Sequence, residues 1–271
     1  MNITFIGGGN MANALIGGLL NNQSCMADEL SVVEVSEDTC TRLHNQFSIR
    51  ATTDLAQGVA GSSVIVLAVK PQQLREVCAQ LSALLTGQLV VSIAAGIRAH
   101  DISRWLGTKN IVRCMPNTPA LIQSGVTGMY ALPEVGYMQR EIAAKILNAV
   151  GSSLWLEEEV MLDGVTAVSG SGPAYVFYFI EAMQQAALEL GFDEAQAKSL
   201  VIDTFLGATK LAQASSEDVG VLRARVTSKN GTTERALLSM ENDGVKQHIV
   251  AAVQAAAMRS KEMGDELGSA K

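Results

Sequence analysis

The chain has little positive charge and lacks the features of a membrane or secreted protein. Its 271 residues carry 20 lysines and arginines against 27 aspartates and glutamates, so the net charge is −7. No basic cluster offsets this balance, and we expect no nucleic-acid partner. The longest apolar run, Ala174–Ile180, is too short to span a bilayer, and residues 1–20 show no basic n-region and no cleavage pattern. We therefore expect no membrane partner and a cytoplasmic location.

Metal-binding and disulfide patterns are missing as well. The four cysteines form no C-x-x-C pair and have no histidine pair near them, so we expect them to be reduced and structural and predict no metal site. These cysteines are Cys25, Cys40, Cys78 and Cys114. The three histidines lie outside every motif described below, which favours structural or surface roles. They are His44, His100 and His248.

Short apolar runs alternate with helix-like stretches through the first half of the chain. Fully apolar strands that alternate with helices are typical of a parallel sheet covered on both faces. The predicted strands after the first are Leu30–Val35, Val64–Val69, Leu89–Ile93, Ile111–Met115 and a closing strand at Leu154–Leu156. Beyond Glu157 no strand-like pattern returns, and the composition predicts an all-helical second domain.

The first strand is followed by a glycine-rich turn. Ile3, Phe5 and Ile6 form a β-prone run, and apolar residues at helical spacing follow the turn. Gly7, Gly9 and Ala12 match the G-x-G-x-x-A pattern, in which the backbone approaches a pyrophosphate at a helix N-terminus. Glycine-rich turns follow many strands. Here the strand, the helix and an acidic residue at Glu34 together predict a dinucleotide site.

Three further motifs, Ala68–Pro71, Ala94–Gly96 and the segment around Asn117, each follow a later predicted strand. They lie at the sheet edge where ligands of open α/β sheets bind. Each could instead be an ordinary turn or the start of a helix. Small residues and prolines at this edge favour a rigid loop shaped against a ring. The predicted cofactor-binding residues are Gly7, Gly8, Gly9, Asn10, Met11, Ala12, Glu34, Ser36, Ala68, Val69, Lys70, Pro71, Ala94, Ala95, Gly96 and Asn117. We therefore divide the chain into a dinucleotide-binding α/β domain at 1–157 and an all-α domain at 158–271.

Two features of the helical half suggest function. The predicted helix Pro173–Leu190 is apolar on more than one face, which one small domain cannot cover, so we expect a second subunit to cover it. The turn before that helix needs no ligand-binding role, because it can simply cap the helix, with Pro173 in the first helical position. The turn Thr227–Thr233 holds four hydroxyls, a glycine and an asparagine, more than a cap needs, and it suits a carboxylate.

The motifs, taken in order, resemble those of the pyrroline-5-carboxylate reductase family over nearly the whole chain. The matching segments are Ile6–Ala12, Ala68–Pro71, Ser92–Gly96, Met115–Ala120, Val168–Val176 and Thr227–Thr233. The resemblance implies a Rossmann domain and a helical domain that interlocks two subunits, with dimers often assembled into decamers. It also implies reduction of the imino acid 1-pyrroline-5-carboxylate to L-proline, the last step of proline biosynthesis, with NADP(H) or NAD(H).

The resemblance further implies roles for residues of the turn Thr227–Thr233. Amides around Ser228, Gly231 and Thr232 would hold the substrate carboxylate, and the hydroxyl of the catalytic residue Thr233 would reach the imine nitrogen. This chain has Lys229–Asn230 where the family usually has Pro-Gly, which loosens the turn, although Asn accepts a left-handed conformation. Glu34 favours the free ribose of NADH whereas the family commonly prefers NADPH, so we expect use of both.

Two other functions remain open at this stage. A β-hydroxyacid dehydrogenase-like reductase would share residues 1–157 but should carry a catalytic lysine on a helix of the second domain, and no convincing one is present. A non-catalytic dinucleotide-sensing module would keep the first domain but would have no use for the turn Thr227–Thr233.

Overall fold

A computed structural model describes residues 1–269 and divides the chain into two compact units. The first comprises Met1–Ser171 together with the residues from Ala256 onward, and the second is Gly172–Ala255. The long C-terminal helix therefore begins in the second unit and ends in the first. No helix among the described residues is long and apolar enough to cross a bilayer.

The first unit is built on one eight-stranded sheet in the order β3-β2-β1-β4-β5-β6-β7-β8. The strands are β1 (Ile3–Ile6), β2 (Leu30–Val33), β3 (Arg50–Thr52), β4 (Val64–Leu67), β5 (Leu89–Ser92), β6 (Ile111–Met115), β7 (Gly125–Ala131) and β8 (Gly151–Trp155). Strands β1 to β6 are parallel to one another, with β1 between β2 and β4. This order is that of the Rossmann fold, whose switch point lies between β1 and β4, and it confirms the predicted fold class.

One edge of the sheet differs from the wholly parallel prediction. β7 runs antiparallel to β6, and β8 is parallel to β7. Only a short stretch that includes a 3-10 turn at Thr118–Ile122 separates β6 from β7, too little chain for a parallel crossover. Strands β7 and β3 were not predicted from the sequence, because β7 contains two glycines and β3 has only three residues.

The helices surround this sheet and build the second unit. They are α1 (Asn10–Asn21), α2 (Glu37–Phe47), α3 (Leu55–Val59), α4 (Pro71–Leu81), α5 (Ala99–Leu106), α6 (Tyr137–Asn148), α7 (Met161–Val165), α8 (Gly172–Glu189), α9 (Glu194–Ala214), α10 (Val219–Arg225), α11 (Thr232–Asn242) and α12 (Val245–Ser269). A π-helical turn, Thr166–Gly170, links α7 to α8. Two buried clusters, one containing Phe5 and Leu15 and the other Ile65 and Leu74, cover opposite faces of the sheet.

Local sequence signals place several helix ends. Ser36 caps α2 by accepting from Thr39 N at 3.2 Å, and Asp193 caps α9 by accepting from Gln196 N at 2.8 Å, as their spacing predicts. α4 begins at Pro71 and ends at Leu81, where the chain tightens into a 3-10 turn at Ser82–Leu84.

The second unit is entirely helical over residues 172–255. Its helix α8 starts one residue before the predicted helix and leaves large apolar side chains uncovered. Phe177 is 65% exposed and Tyr178 is 71% exposed in the single subunit. A face of this kind is typical of a surface that another chain covers.

Candidate functional site

The glycine turn after β1 can be built only from small residues. Gly7 has φ of 102°, in the region that side chains rarely adopt, and a Cβ atom there would lie 2.8 Å from the carbonyl oxygen of Ala68. A Cβ on Gly8 would lie 2.6 Å from Leu43 Cδ1, whereas one on Gly9 would meet open space. The turn therefore packs closely against Ala68, just after β4, and leaves open space beside Gly9.

The N-terminus of α1 is open to an anion. Gly9 is its N-cap and provides no side-chain cap. The first amide that bonds back is Asn13 N, which donates to Gly9 O at 2.9 Å. Within residues 1–269 the amides of Asn10, Met11 and Ala12 have no acceptor. Free amides at the positive end of the helix dipole fit a pyrophosphate, as the sequence motif predicts.

Glu34 lies against the same turn. Its Oε2 atom accepts a hydrogen bond from Gly8 N at 2.8 Å, and its Oε1 atom accepts from Val35 N at 2.8 Å. Val35 is 90% exposed, so successive side chains point to opposite sides at the end of β2. The Glu34 carboxylate thus faces the glycine turn.

Arg42 is a second charged group at this turn, and the sequence analysis missed it. Its guanidinium lies 3.5 Å from Gly8 O and 3.2 Å from Asn13 Oδ1, and its side chain is exposed. Arg42 is the first basic residue after Glu34 in the sequence, and this position could have indicated it. The glycine turn therefore has two charged groups beside it, the Glu34 carboxylate and the Arg42 guanidinium.

The remaining predicted cofactor residues of the first unit follow β4 and β5. Ala68 contacts Gly7, Lys70 is the exposed N-cap of α4, and Pro71 is the first residue of that helix. Ala94 is buried, and Gly96 has φ of 73°. Because β1, β4 and β5 are parallel neighbours, these segments lie at one edge of the sheet.

Asn117 makes structural contacts. The side chain is buried; its Nδ2 atom donates to Ser169 O at 3.1 Å and its Oδ1 atom accepts from Val126 N at 2.9 Å. It thereby ties the π-helical turn to the start of β7. The predicted cofactor role of Asn117 remains a prediction, and its side-chain hydrogen bonds support a structural role.

The turn between α10 and α11 has a defined backbone. Gly231 N donates to Ser228 O at 3.0 Å, and Asn230 has φ of 60°. The left-handed conformation expected of Asn230 is therefore confirmed. A side chain at Gly231 would overlap Ser228 Oγ, which explains the glycine. The amide of Gly231 is used inside the turn, so it is not free for a ligand.

The first turn of α11 presents free polar groups. Within residues 1–269 the amides of Thr232, Thr233 and Glu234 have no acceptor, and the hydroxyls of Ser228, Thr232 and Thr233 have no partner. The fourth hydroxyl, Thr227 Oγ1, donates to Arg223 O at 2.6 Å. Three amides and three hydroxyls at a helix N-terminus suit a small carboxylate.

Among the cysteines, Cys40 lies beside the glycine turn, where its Sγ donates to Glu34 O at 3.5 Å. All four are buried and free, and burial raises the pKa of each thiol, to about 12 for Cys78. No group of three or more His, Cys, Asp or Glu side chains that could hold a metal ion occurs in the described part of the chain.

Two family models match the chain. Residues 159–263 match the model for pyrroline-5-carboxylate reductase dimerisation, and residues 2–96 match the model for NADP oxidoreductase, coenzyme F420-dependent. The two matches fall on the helical region and on the first strands of the sheet. The division of the chain near residue 157 remains a prediction, and the two compact units of the structure meet instead at Ser171 and at Ala256.

Curated proteins and solved structures extend this likeness to nearly the full length. The pyrroline-5-carboxylate reductase of Pseudomonas aeruginosa is 44% identical over 98% of both chains, and that of Escherichia coli is 35% identical over 96% of this chain and 97% of its own. The Coxiella burnetii enzyme structure aligns with a TM-score of 0.92 at 40% identity, over 97% of this chain and 98% of that one. The Plasmodium falciparum enzyme with NADP bound aligns at 0.87 and 29% identity, with the same coverage.

Proposed function

The chain belongs to the pyrroline-5-carboxylate reductase family, and on that premise we propose how its residues bind the substrate and the cofactor. The protein reduces 1-pyrroline-5-carboxylate to L-proline with NAD(P)H, the final step of proline biosynthesis. The observation that supports the residue roles best is the first turn of α11, where free amides and free hydroxyls occur together in a motif that this family shares.

The glycine turn and the N-terminus of α1 would hold the cofactor. The open amides of Asn10, Met11 and Ala12 would bind the pyrophosphate, and the approach past Gly9 has no side chain to block it. The loops Ala68–Pro71 and Ala94–Gly96, at the same sheet edge, would line the rest of the cofactor. When bound, the nicotinamide cofactor supplies the hydride that reduces the C=N bond.

The first turn of α11 would hold the imino acid. The amides of Thr232, Thr233 and Glu234 replace the predicted set that included Gly231, because the Gly231 amide is already bonded to Ser228 O. They would bind the carboxylate, and Thr233 Oγ1 would hydrogen-bond the ring nitrogen. The protonated imine is already electrophilic, so orientation is the main contribution, worth roughly 7–11 kcal/mol at its upper limit.

We propose that both NADPH and NADH serve as reductants. Glu34 at the glycine turn can accept from ribose hydroxyls and would repel a 2′-phosphate, whereas the guanidinium of Arg42 would attract that phosphate. The hydroxyl of Ser36 accepts from Thr39 N but can still donate its own proton to a phosphate. The cofactor preference then depends on the balance between one carboxylate and one guanidinium.

Thr233→Val tests the substrate site. The change keeps the shape and the backbone amide but removes the hydroxyl, and we expect kcat/KM for the imino acid to fall on the order of 10²-fold. The affinity for NADPH, measured by fluorescence titration, should stay the same. Thr232→Val is the comparison variant: it removes the neighbouring hydroxyl of the same turn, and because only the Thr233 hydroxyl is assigned to the ring nitrogen, Thr232→Val should have the smaller effect. Wild-type turnover by Thr233→Val would remove the hydroxyl from the mechanism.

We propose a homodimer formed through the helical domain. The family model for this region is that of a dimerisation domain, and α8 exposes Phe177 and Tyr178 in the single subunit. Decamers and a cytoplasmic location remain predictions. Family membership decides against a β-hydroxyacid dehydrogenase. Oxidation of NADPH on addition of the imino acid would decide against a non-catalytic sensor.

A further inference from the structure

The turn before α11 has the geometry of a type II β-turn. A hydrogen bond joins Ser228 O to Gly231 N at 3.0 Å across Lys229 and Asn230, and only the second of these two central residues has a positive φ. Type II turns favour proline in the first central position and glycine in the second. The Pro-Gly pair usual in the family fits this geometry without strain, whereas Lys229 and Asn230 fit it less well.

The substitutions in this chain should leave the turn less ordered. Lysine at position 229 has more conformations in the free chain than proline, and asparagine tolerates the left-handed region less well than glycine. The turn nevertheless carries the free amides of Thr232 and Thr233 and the hydroxyl that the proposed mechanism uses. An additional contact that orders the turn would offset this loss.

Glu234 provides such a contact. Its Oε2 atom accepts a hydrogen bond from Asn230 N at 2.6 Å. Glu234 is the third residue of α11, the position from which a capping-box glutamate reaches back to the residues before the helix. The bond joins a carboxylate to a backbone amide and is therefore stronger than a neutral one. Within residues 1–269 no basic side chain lies within ion-pair distance of the Glu234 carboxylate.

We infer that Glu234 is a positioning residue that holds Asn230 in the left-handed conformation and so orders the substrate turn, in place of the proline this chain lacks. The inference rests on the proposed substrate site. Glu234 acts through the turn, with its side chain bonded to Asn230 N, while its own amide faces the substrate as one of three. Its loss should therefore raise KM for the imino acid and leave the cofactor affinity unchanged.

The experiment compares steady-state kinetics of variants that separate the hydrogen bond, the charge and the turn. Glu234→Ala removes the bond and should raise KM for the imino acid about tenfold, in line with the loss of one charge-assisted hydrogen bond. Glu234→Gln keeps an acceptor oxygen without the charge and should stay within about threefold of wild type. The family turn, Lys229→Pro with Asn230→Gly, should restore KM when it is added to Glu234→Ala, and it should change the wild type little.

Each outcome decides the inference. It is overturned if Glu234→Ala has a wild-type KM, if Glu234→Gln is as impaired as Glu234→Ala, or if the Pro-Gly turn fails to rescue. Circular dichroism and a thermal melt of every variant show that α11 is folded, so that a KM change reports the turn. Thr233→Val is measured in parallel: if it is impaired and Glu234→Ala is normal, only the positioning role fails. If Thr233→Val is normal, the substrate site itself is wrong.

Discussion

Replacing Glu34 by glutamine tests the origin of the cofactor preference. The Glu34 carboxylate accepts from Gly8 N and from Val35 N, both at 2.8 Å, and the Gly8 amide is part of a buried turn. Glutamine can still accept from the Gly8 amide with its Oε1 atom but loses the bond to Val35 N, which is exposed, so Glu34→Gln removes the charge and keeps the bond to the buried turn. Serine at this position would be too short to reach, and an unpaired buried amide would cost about 1–3 kcal/mol of stability.

The size of the effect follows from charge repulsion. A carboxylate and one phosphate charge about 5 Å apart repel by roughly 1–3 kcal/mol between the dielectric of water and that of a protein surface. The repulsion acts on NADPH alone, because NADH has no 2′-phosphate. Each 1.36 kcal/mol is tenfold in rate, so Glu34→Gln should raise the ratio of kcat/KM for NADPH to that for NADH about tenfold. Loss of the acceptor for the ribose hydroxyls would lower the NADH value and add to the change.

The assay measures kcat/KM with each cofactor at saturating imino acid. Arg42→Gln is the opposing variant: it removes the guanidinium near Gly8 O and should lower the same ratio. Melting temperatures of both variants should remain close to wild type. An unchanged ratio in Glu34→Gln would show that this carboxylate does not face the ribose, and the proposed balance between the two charges would fail.

Three further predictions concern the interface, the π-helical turn and the cysteines. Phe177→Glu should give a folded monomer by light scattering, because Phe177 is 65% exposed in the subunit but a charge buried in a dimer costs several kcal/mol; a variant that remains dimeric would contradict the α8 interface. Asn117→Ala removes two buried hydrogen bonds and should lower the free energy of unfolding in urea by about 2 kcal/mol, and an unchanged midpoint would refute its structural role. Burial raises the pKa of the Cys78 thiol to about 12 and that of Cys114 further, so both should resist Ellman's reagent at pH 8 until the protein is unfolded; rapid reaction of the native protein would contradict this.

Much of the site could be predicted where the chemistry is local. Gly7 and Gly9 occupy the turn that their spacing indicates, and Asn230 is left-handed as expected. The bond from Asn230 N to Glu234 is also local, four residues apart, but no sequence pattern predicted it. Spacing shows which residues can meet, and it does not show which acceptor a free amide takes.

The sequence by itself determined the alternation of strands and helices, the caps at Ser36 and Asp193, and the glycine turn, because periodicity, capping and left-handed backbone depend on a few neighbouring residues. Only the tertiary structure decided which distant groups come together. The approach of Arg42 to Gly8 and the bond from Asn117 to Ser169 O join residues 34 and 52 positions apart. Such contacts depend on how the elements pack around one core, and a short sequence pattern holds no information about partners that lie tens of residues away.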